Sequence, residues 1–427
     1  MNIPIDRLYH YIESCAKKSY GDHVVIYRFW PHGSKNIQNL TPLHPVKSWI
    51  DLMSWPAIYC NDQEPLQYDY YKNNLQQFDC EYTSLLKKIN LNRMSTNLNF
   101  YQNIFSKNIL LHSEKNSTDL EKYQKLDQLI LVYYWSHAII ARDWYRFAEH
   151  VDFQKKPKKL FLIYNRAWTG TREYRLKFSD LLIDAELVKH CQTTFNPQDY
   201  ETDLHYTNHI FQTKKWQPTH TLEKYFPPNC ASANSSADFE VVDYCSTEVE
   251  VVLETLFDDN RWHLTEKILR PIACGQPFIL ACTPGSLEYL KQYGFQTYQD
   301  VWNEDYDSII DPESRLHRII DLMKYLAGLD DRQKKDIMHR AQKIADHNRK
   351  LFFSKEFFDK ITNELQTNLT SAFDYLKVLP ANQNFVDRHI QIMTNPIMKN
   401  FLSLNQDSYT PNLHMIDQVL KLAQSKS

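Results

Sequence analysis

The residues best equipped for chemistry lie close together, where the polar run Asp258-Asp259-Asn260-Arg261-Trp262-His263 leads through Leu264 into Thr265-Glu266-Lys267. Thr265 is placed to open a helix, with Glu266 and Lys267 in its first turn and Gly275 closing it. The unpaired N–H groups and positive dipole end of such a helix attract an anion such as a diphosphate. Lys267 adds a mobile positive charge, and Glu266 can bond sugar or ribose hydroxyls. A bare Thr-Glu-Lys tripeptide reads more simply as helix capping beside a solvated lysine. A second basic group fits the same chemistry: Tyr164-Asn165-Arg166 ends an apolar run, and Arg172 and Arg175 follow. Guanidinium forks match phosphate oxygens, so Arg166 stands first and Arg172 second as diphosphate ligands, with Arg175 beside them. An ordinary basic helix face accounts for the later two equally well. Trp168 and Tyr174 are placed to stack on a base, although aromatics at helical spacing are more often core.

The surroundings of Thr265-Glu266-Lys267 add to this. Glu254-Thr255-Leu256-Phe257 precedes it, then Gln276-Pro277-Phe278-Ile279 and the small-residue turn Thr283-Pro284-Gly285-Ser286 follow, with residues 294–315 beyond. This order resembles the donor-binding half of the α1,3-fucosyltransferases and related transferases with two facing Rossmann-like domains. The resemblance covers roughly residues 159–320 and is not detectable before them. It implies a GT-B-like glycosyltransferase that takes a nucleotide-sugar donor, GDP-linked by preference, and passes the sugar to a hydroxyl acceptor with inversion. It also implies that helix termini and basic groups, not a metal, hold the leaving diphosphate. No cofactor is required. The donor would lie on Arg166, Arg172, Arg175, Thr265, Glu266 and Lys267.

Inverting transfer needs a general base to take the acceptor's proton. Glu64, Glu114, His137 and Asp143 are the candidates in the first half of the chain; the first three follow strand ends. Glu64, in the polar turn Asp62-Gln63-Glu64-Pro65, is placed first, although a solvated turn carboxylate is the commoner role for such a residue. Glu114 serves alternatively as a charge at a helix start, and His32-Gly33 forms another polar loop. For a metal there are only loose carboxylates, at Asp258-Asp259-Asn260, at Asp203 and at Asp305-Tyr306-Asp307, none forming a convincing site; Asp305 and Asp307 fit the flank of a short helix.

These residues need an α/β frame. Apolar runs at residues 23–30, 55–60, 106–113 and 129–135 each end in a polar cluster, which is where an open parallel sheet binds ligands. A short basic stretch at 151–158 is expected to link this first domain, 1–150, to a second at 159–380. The second shows strands at 159–165, 239–245, 277–282 and around 295–298, a strand or helix at 249–257, and helices at 172–187, 264–275 and 286–294. Residues 188–238 form an excursion ending in a loop. Helical periodicity begins at Asp311, and a helical tail occupies 381–427.

Composition bounds the rest. A chain of 427 residues has room for two domains, and its 43% hydrophobic and 24% charged content is that of a globular protein. The formal charge of −3 speaks against general nucleic-acid binding. Only 7 glycines leave little room for a glycine-rich phosphate loop, which counts against a dehydrogenase or a P-loop kinase. The 8 cysteines are scattered without a Cys-x-x-Cys pair and read as reduced thiols. With no leader and no membrane-length apolar run, a cytoplasmic protein is expected. Two other functions compete: a nucleotide-sugar-binding protein without turnover, and a phosphoryl transferase dependent on a magnesium triphosphate.

Overall fold

The computed structural model describes residues 6–28, 39–44, 55–61, 65–66, 108–125, 129–199, 203–226 and 238–378. The chain divides into two compact units, one made of residues 1–136 with 361–427 and the other of residues 137–360. Both are α/β, each built on a mainly or wholly parallel sheet.

In the first unit helix α1 spans Asp6–Ser19 and the strands are β1 (Val25–Arg28), β2 (Asn39–Pro42), β3 (Ala57–Asn61), β4 (Asn108–His112) and β5 (Leu129–Tyr133), with helix α2 (Thr118–Gln124) between the last two. The sheet order is β2-β1-β3-β4-β5. β1, β3, β4 and β5 run parallel, and β2 lies antiparallel on the edge. The centres of these strands are fully apolar, as strands covered on both faces require: Ile58, Ile109 and Leu111 are wholly buried. Helix α3 (Ser136–Trp144) begins where the first unit ends.

The second unit holds β6 (Lys159–Asn165), α4 (Tyr174–Asp184), β7 (Cys191–Phe195), α5 (Val241–Ser246), β8 (Thr247–Leu253), α6 (Glu266–Cys274), β9 (Phe278–Ala281), α7 (Ser286–Gln292), α8 (Pro312–Gly328) and α9 (Asp331–Phe353). Its four strands are all parallel in the order β7-β6-β8-β9. The chain leaves β6 toward β7 on one side and later builds β8 and β9 on the other, so the winding reverses between β6 and β8. Right-handed crossovers then place α4 and α6 on opposite faces of the sheet. Each gains an outer helix, α8 packing on α4 and α9 on α6. Helix α10 (Lys355–Val378) starts in the second unit and finishes in the first. There Gln366 donates to the Cys15 carbonyl, Asn368 to the Tyr133 carbonyl, and Phe373 stacks on Tyr20.

Where the elements differ from expectation, tertiary contacts decide. Residues 241–246, read as strand for their β-branched and aromatic content, form α5; Val242 faces outward while Asp243 and Tyr244 turn inward to polar partners. No strand forms around 295–298. There the Asn348 side chain satisfies both polar groups of the Gln296 backbone, replacing a neighbouring strand. β7 lies in the region read as an excursion. Residues 151–158 run inside the second unit, Lys156 and Lys158 donating backbone N–H groups to Cys245 and Ser246. Among the described residues no helix is long and apolar enough to cross a membrane.

Candidate functional site

The reversal between β6 and β8 makes a crevice at their carboxyl ends, the place where open α/β sheets bind ligands. Arg175 ties the two strand ends together from α4. Its guanidinium donates to the carbonyls of Ala167 at 2.6 Å, Leu253 at 2.6 Å and Glu254 at 3.0 Å. Three carbonyls, two of them buried, therefore occupy the fork expected to hold phosphate, and Arg175 is a strand clamp. The Tyr174 hydroxyl donates to the same Glu254 carbonyl at 2.7 Å, while its ring stacks on Phe257 at 4.2 Å. Trp168 is likewise fully buried, so both aromatics are core.

Glu254, one residue beyond β8 and wholly buried, organises the other side of the crevice. Its carboxylate accepts from Thr265 Oγ1 at 2.7 Å, from the Thr265 N–H at 3.2 Å and from the Ile268 N–H at 3.3 Å. Thr265 is the N-cap of α6, and its hydroxyl accepts from the Lys267 N–H at 3.3 Å. An internal carboxylate thus already complements the positive end of this helix. That changes the expected anion site: the N–H groups of Thr265, Lys267 and Ile268 are engaged, and an incoming phosphate would have to be met by side chains.

Those side chains are arranged beside it. The Lys267 ammonium donates to Glu266 Oε1 at 2.9 Å and Thr265 Oγ1 at 3.2 Å. Glu266 is buried, and its Oε2 lies 3.2 Å from Nδ1 of His137, itself buried at the start of α3. The His263 ring stands edge-on to His137 at 5.2 Å, and the Tyr145 hydroxyl donates to the Glu266 carbonyl at 3.3 Å. Arg166 follows directly on β6, and Arg172 donates its Nε–H to the Thr169 carbonyl; both are half-buried. Beyond the crevice, Gly285 adopts φ +80°, and a Cβ there would lie 2.9 Å from Trp262. Only glycine gives that turn room, which fits the small-residue signal in the sequence.

The structure therefore brings together His137, Thr265, Glu266 and Lys267. Glu114 sits in the first unit, buried, with a carboxylate oxygen accepting from the Leu66 N–H; it does not open a helix, since Ser117 caps α2. Asp143 pairs with Arg146. Glu64, His32 and Gly33 lie outside the described residues. Asp307 lies within a short 3-10 helix at Asp305–Ser308, and its carboxylate accepts from the Leu287 N–H in the first turn of α7. Asp305 pairs with Arg318. Among the described residues the closest approach to a metal cluster is Asp180, Asp184 and His220, where Asp180 already accepts from Lys177, Thr219 and His220.

Sequence reasoning missed a second buried charge centre. Glu250, in mid-β8, pairs with Arg270 of α6 at 2.9 Å and accepts from the Tyr244 hydroxyl at 2.6 Å, while Arg270 covers the Tyr164 ring at 4.2 Å. A glutamate inside the otherwise apolar run Val249-Glu250-Val251-Val252-Leu253 was the available signal, because an ionised group there needs a partner.

No protein-family model and no curated protein matches this chain.

Proposed function

We propose that this protein is a glycosyltransferase that binds a nucleotide sugar, GDP-linked by preference, in the crevice of its second unit and passes the sugar to a hydroxyl acceptor by inverting displacement without a metal. The observation that carries the reading is the fixed Glu254-Thr265-Glu266-Lys267 arrangement beyond β8, at the point where the sheet reverses its winding. In charge terms Glu254 and Glu266 supply two negatives and Lys267 one positive. A diphosphate then depends on Lys267 together with the guanidinium groups of Arg166 and Arg172, while Glu266 takes sugar or ribose hydroxyls. Glu64 and Glu114 stand as candidates for the base.

The test is thermal stabilisation by a panel of nucleoside diphosphates and nucleotide sugars, for the wild type and for Lys267→Ala. A ligand at 100 times its Kd stabilises by about 2.7 kcal/mol. A shift with one nucleotide that disappears in the variant supports the site and identifies the base. A folded protein that responds to none of them removes the proposal. Binding of a nucleotide sugar with neither transfer nor hydrolysis would mark a sensor in place of an enzyme.

A further inference from the structure

We propose that His137 is a positioning residue for this nucleotide-sugar site, fixing Glu266 so that Glu266 in turn holds the Lys267 ammonium in place. The inference rests on the functional reading above. It stands on a bracing geometry: His137 in the first turn of α3 and Tyr145, the residue that follows α3, both lie against Glu266, the first residue of α6. His137 Nδ1 lies 3.2 Å from Glu266 Oε2, within ion-pair distance but not aligned as a hydrogen bond, and the Tyr145 hydroxyl donates to the Glu266 carbonyl at 3.3 Å. Tyr145 is held at the end of α3 by its N–H, which donates to the Ala141 carbonyl.

Lys267 needs such support. An ammonium on a flexible four-carbon stem has many rotamers, and ordering it at the moment of binding costs affinity. Glu266 Oε1 restrains it at 2.9 Å, so the order of the ammonium depends on the order of the carboxylate. Glu266 is 1% exposed, and a buried carboxylate keeps one rotamer only while polar groups hold it there. His137, 2% exposed and flanked by the His263 ring, is such a group. With Nδ1 turned to Glu266, its role is to orient that carboxylate rather than to meet the acceptor.

The test uses the full chain and the Kd for GDP measured calorimetrically. H137A should weaken binding about tenfold, the loss expected when the close polar neighbour of a buried carboxylate is removed. H137N, which sets an amide nitrogen near the place of Nδ1, should stay within about threefold of the wild type, and H137Q, whose amide reaches the place of Nε2 instead, should behave like H137A. If H137A fails to fold, the contrast between H137N and H137Q carries the test. In a K267A background, H137A should add no further loss, because its effect passes through Lys267. Wild-type affinity in H137A, equal losses in H137N and H137Q, or losses of H137A and K267A that multiply in the double variant would overturn this inference and leave nucleotide binding standing. A wild type that binds neither GDP nor any other nucleoside diphosphate would overturn both.

Discussion

Glu304, buried, and Asp307, half-buried, are acids on the segment that follows α7. Burial pushes the Glu304 carboxyl up to about 7 and that of Asp307 up to about 6, from ordinary values of 4.5 and 3.8. The folded protein therefore holds these protons more tightly than the unfolded chain does. Their contribution to stability is complete below about pH 4 and is lost as the pH rises through about 6 and then about 7. Glu304→Gln, neutral at every pH, is expected to melt close to the wild type at pH 5 and several degrees above it at pH 8, with about 2 to 4 °C for each kcal/mol recovered. Melting curves at the two pH values decide it, and a variant no more stable at pH 8 counts against a buried, protonated Glu304. At this scale the sequence was legible where a side chain's role is local. Thr265 as N-cap and Gly275 as left-handed C-cap follow from residue type. Arg175 was misread because arginine advertises phosphate; yet it shares a helical face with Phe178 and Leu182, which marks it as buried.

Helix α6 and strand β8 share two buried centres, Glu254 with Thr265 where β8 ends and α6 begins and Glu250 with Arg270 further back. Removing one partner of a buried pair leaves the other charge uncompensated and costs about 3–5 kcal/mol. Arg270→Met is expected to cost that much in urea denaturation, and Glu250→Gln with Arg270→Met to cost less than Arg270→Met alone, since the glutamine still accepts from Tyr244. A double variant weaker than the single would overturn this account of the pair. The strands of the central sheets were legible because fully buried parallel strands are nearly continuous apolar runs: β6 occupies the expected residues, 159–165. β7 was not, because Cys191-Gln192-Thr193-Thr194-Phe195 is half polar on the edge of its sheet. Helix α5 was hidden by its two valines, and the pairing of Asp243 with Tyr164 that fixes it lies far away in sequence.

The α/β plan with parallel sheets and a run of C-terminal helices was legible from the alternation of elements, whereas the way the chain is shared between the two units was not. Helical periodicity shows where α10 runs without showing that its face changes partners at residue 361. The second unit is continuous in sequence and contains its whole described sheet, with helices on both faces. A fragment of residues 137–360 is therefore expected to fold alone and to melt cooperatively in calorimetry. A fragment of residues 1–136, lacking the helix that donates to Cys15 and Tyr133, is expected to melt at a lower temperature than its counterpart in the full chain. A fragment 137–360 without a cooperative transition would contradict the division.

The split ownership of α10 also sets a schedule for synthesis. Residues 137 to 361 emerge from the ribosome after Ser136 and before the half of α10 that covers α1 is complete, an interval of 225 residues (361 − 136). At about 5–20 residues per second that is roughly 11–45 s. Throughout it the earliest-made unit waits unfinished while a later-made one closes, so the nascent first unit is the part most in need of a chaperone.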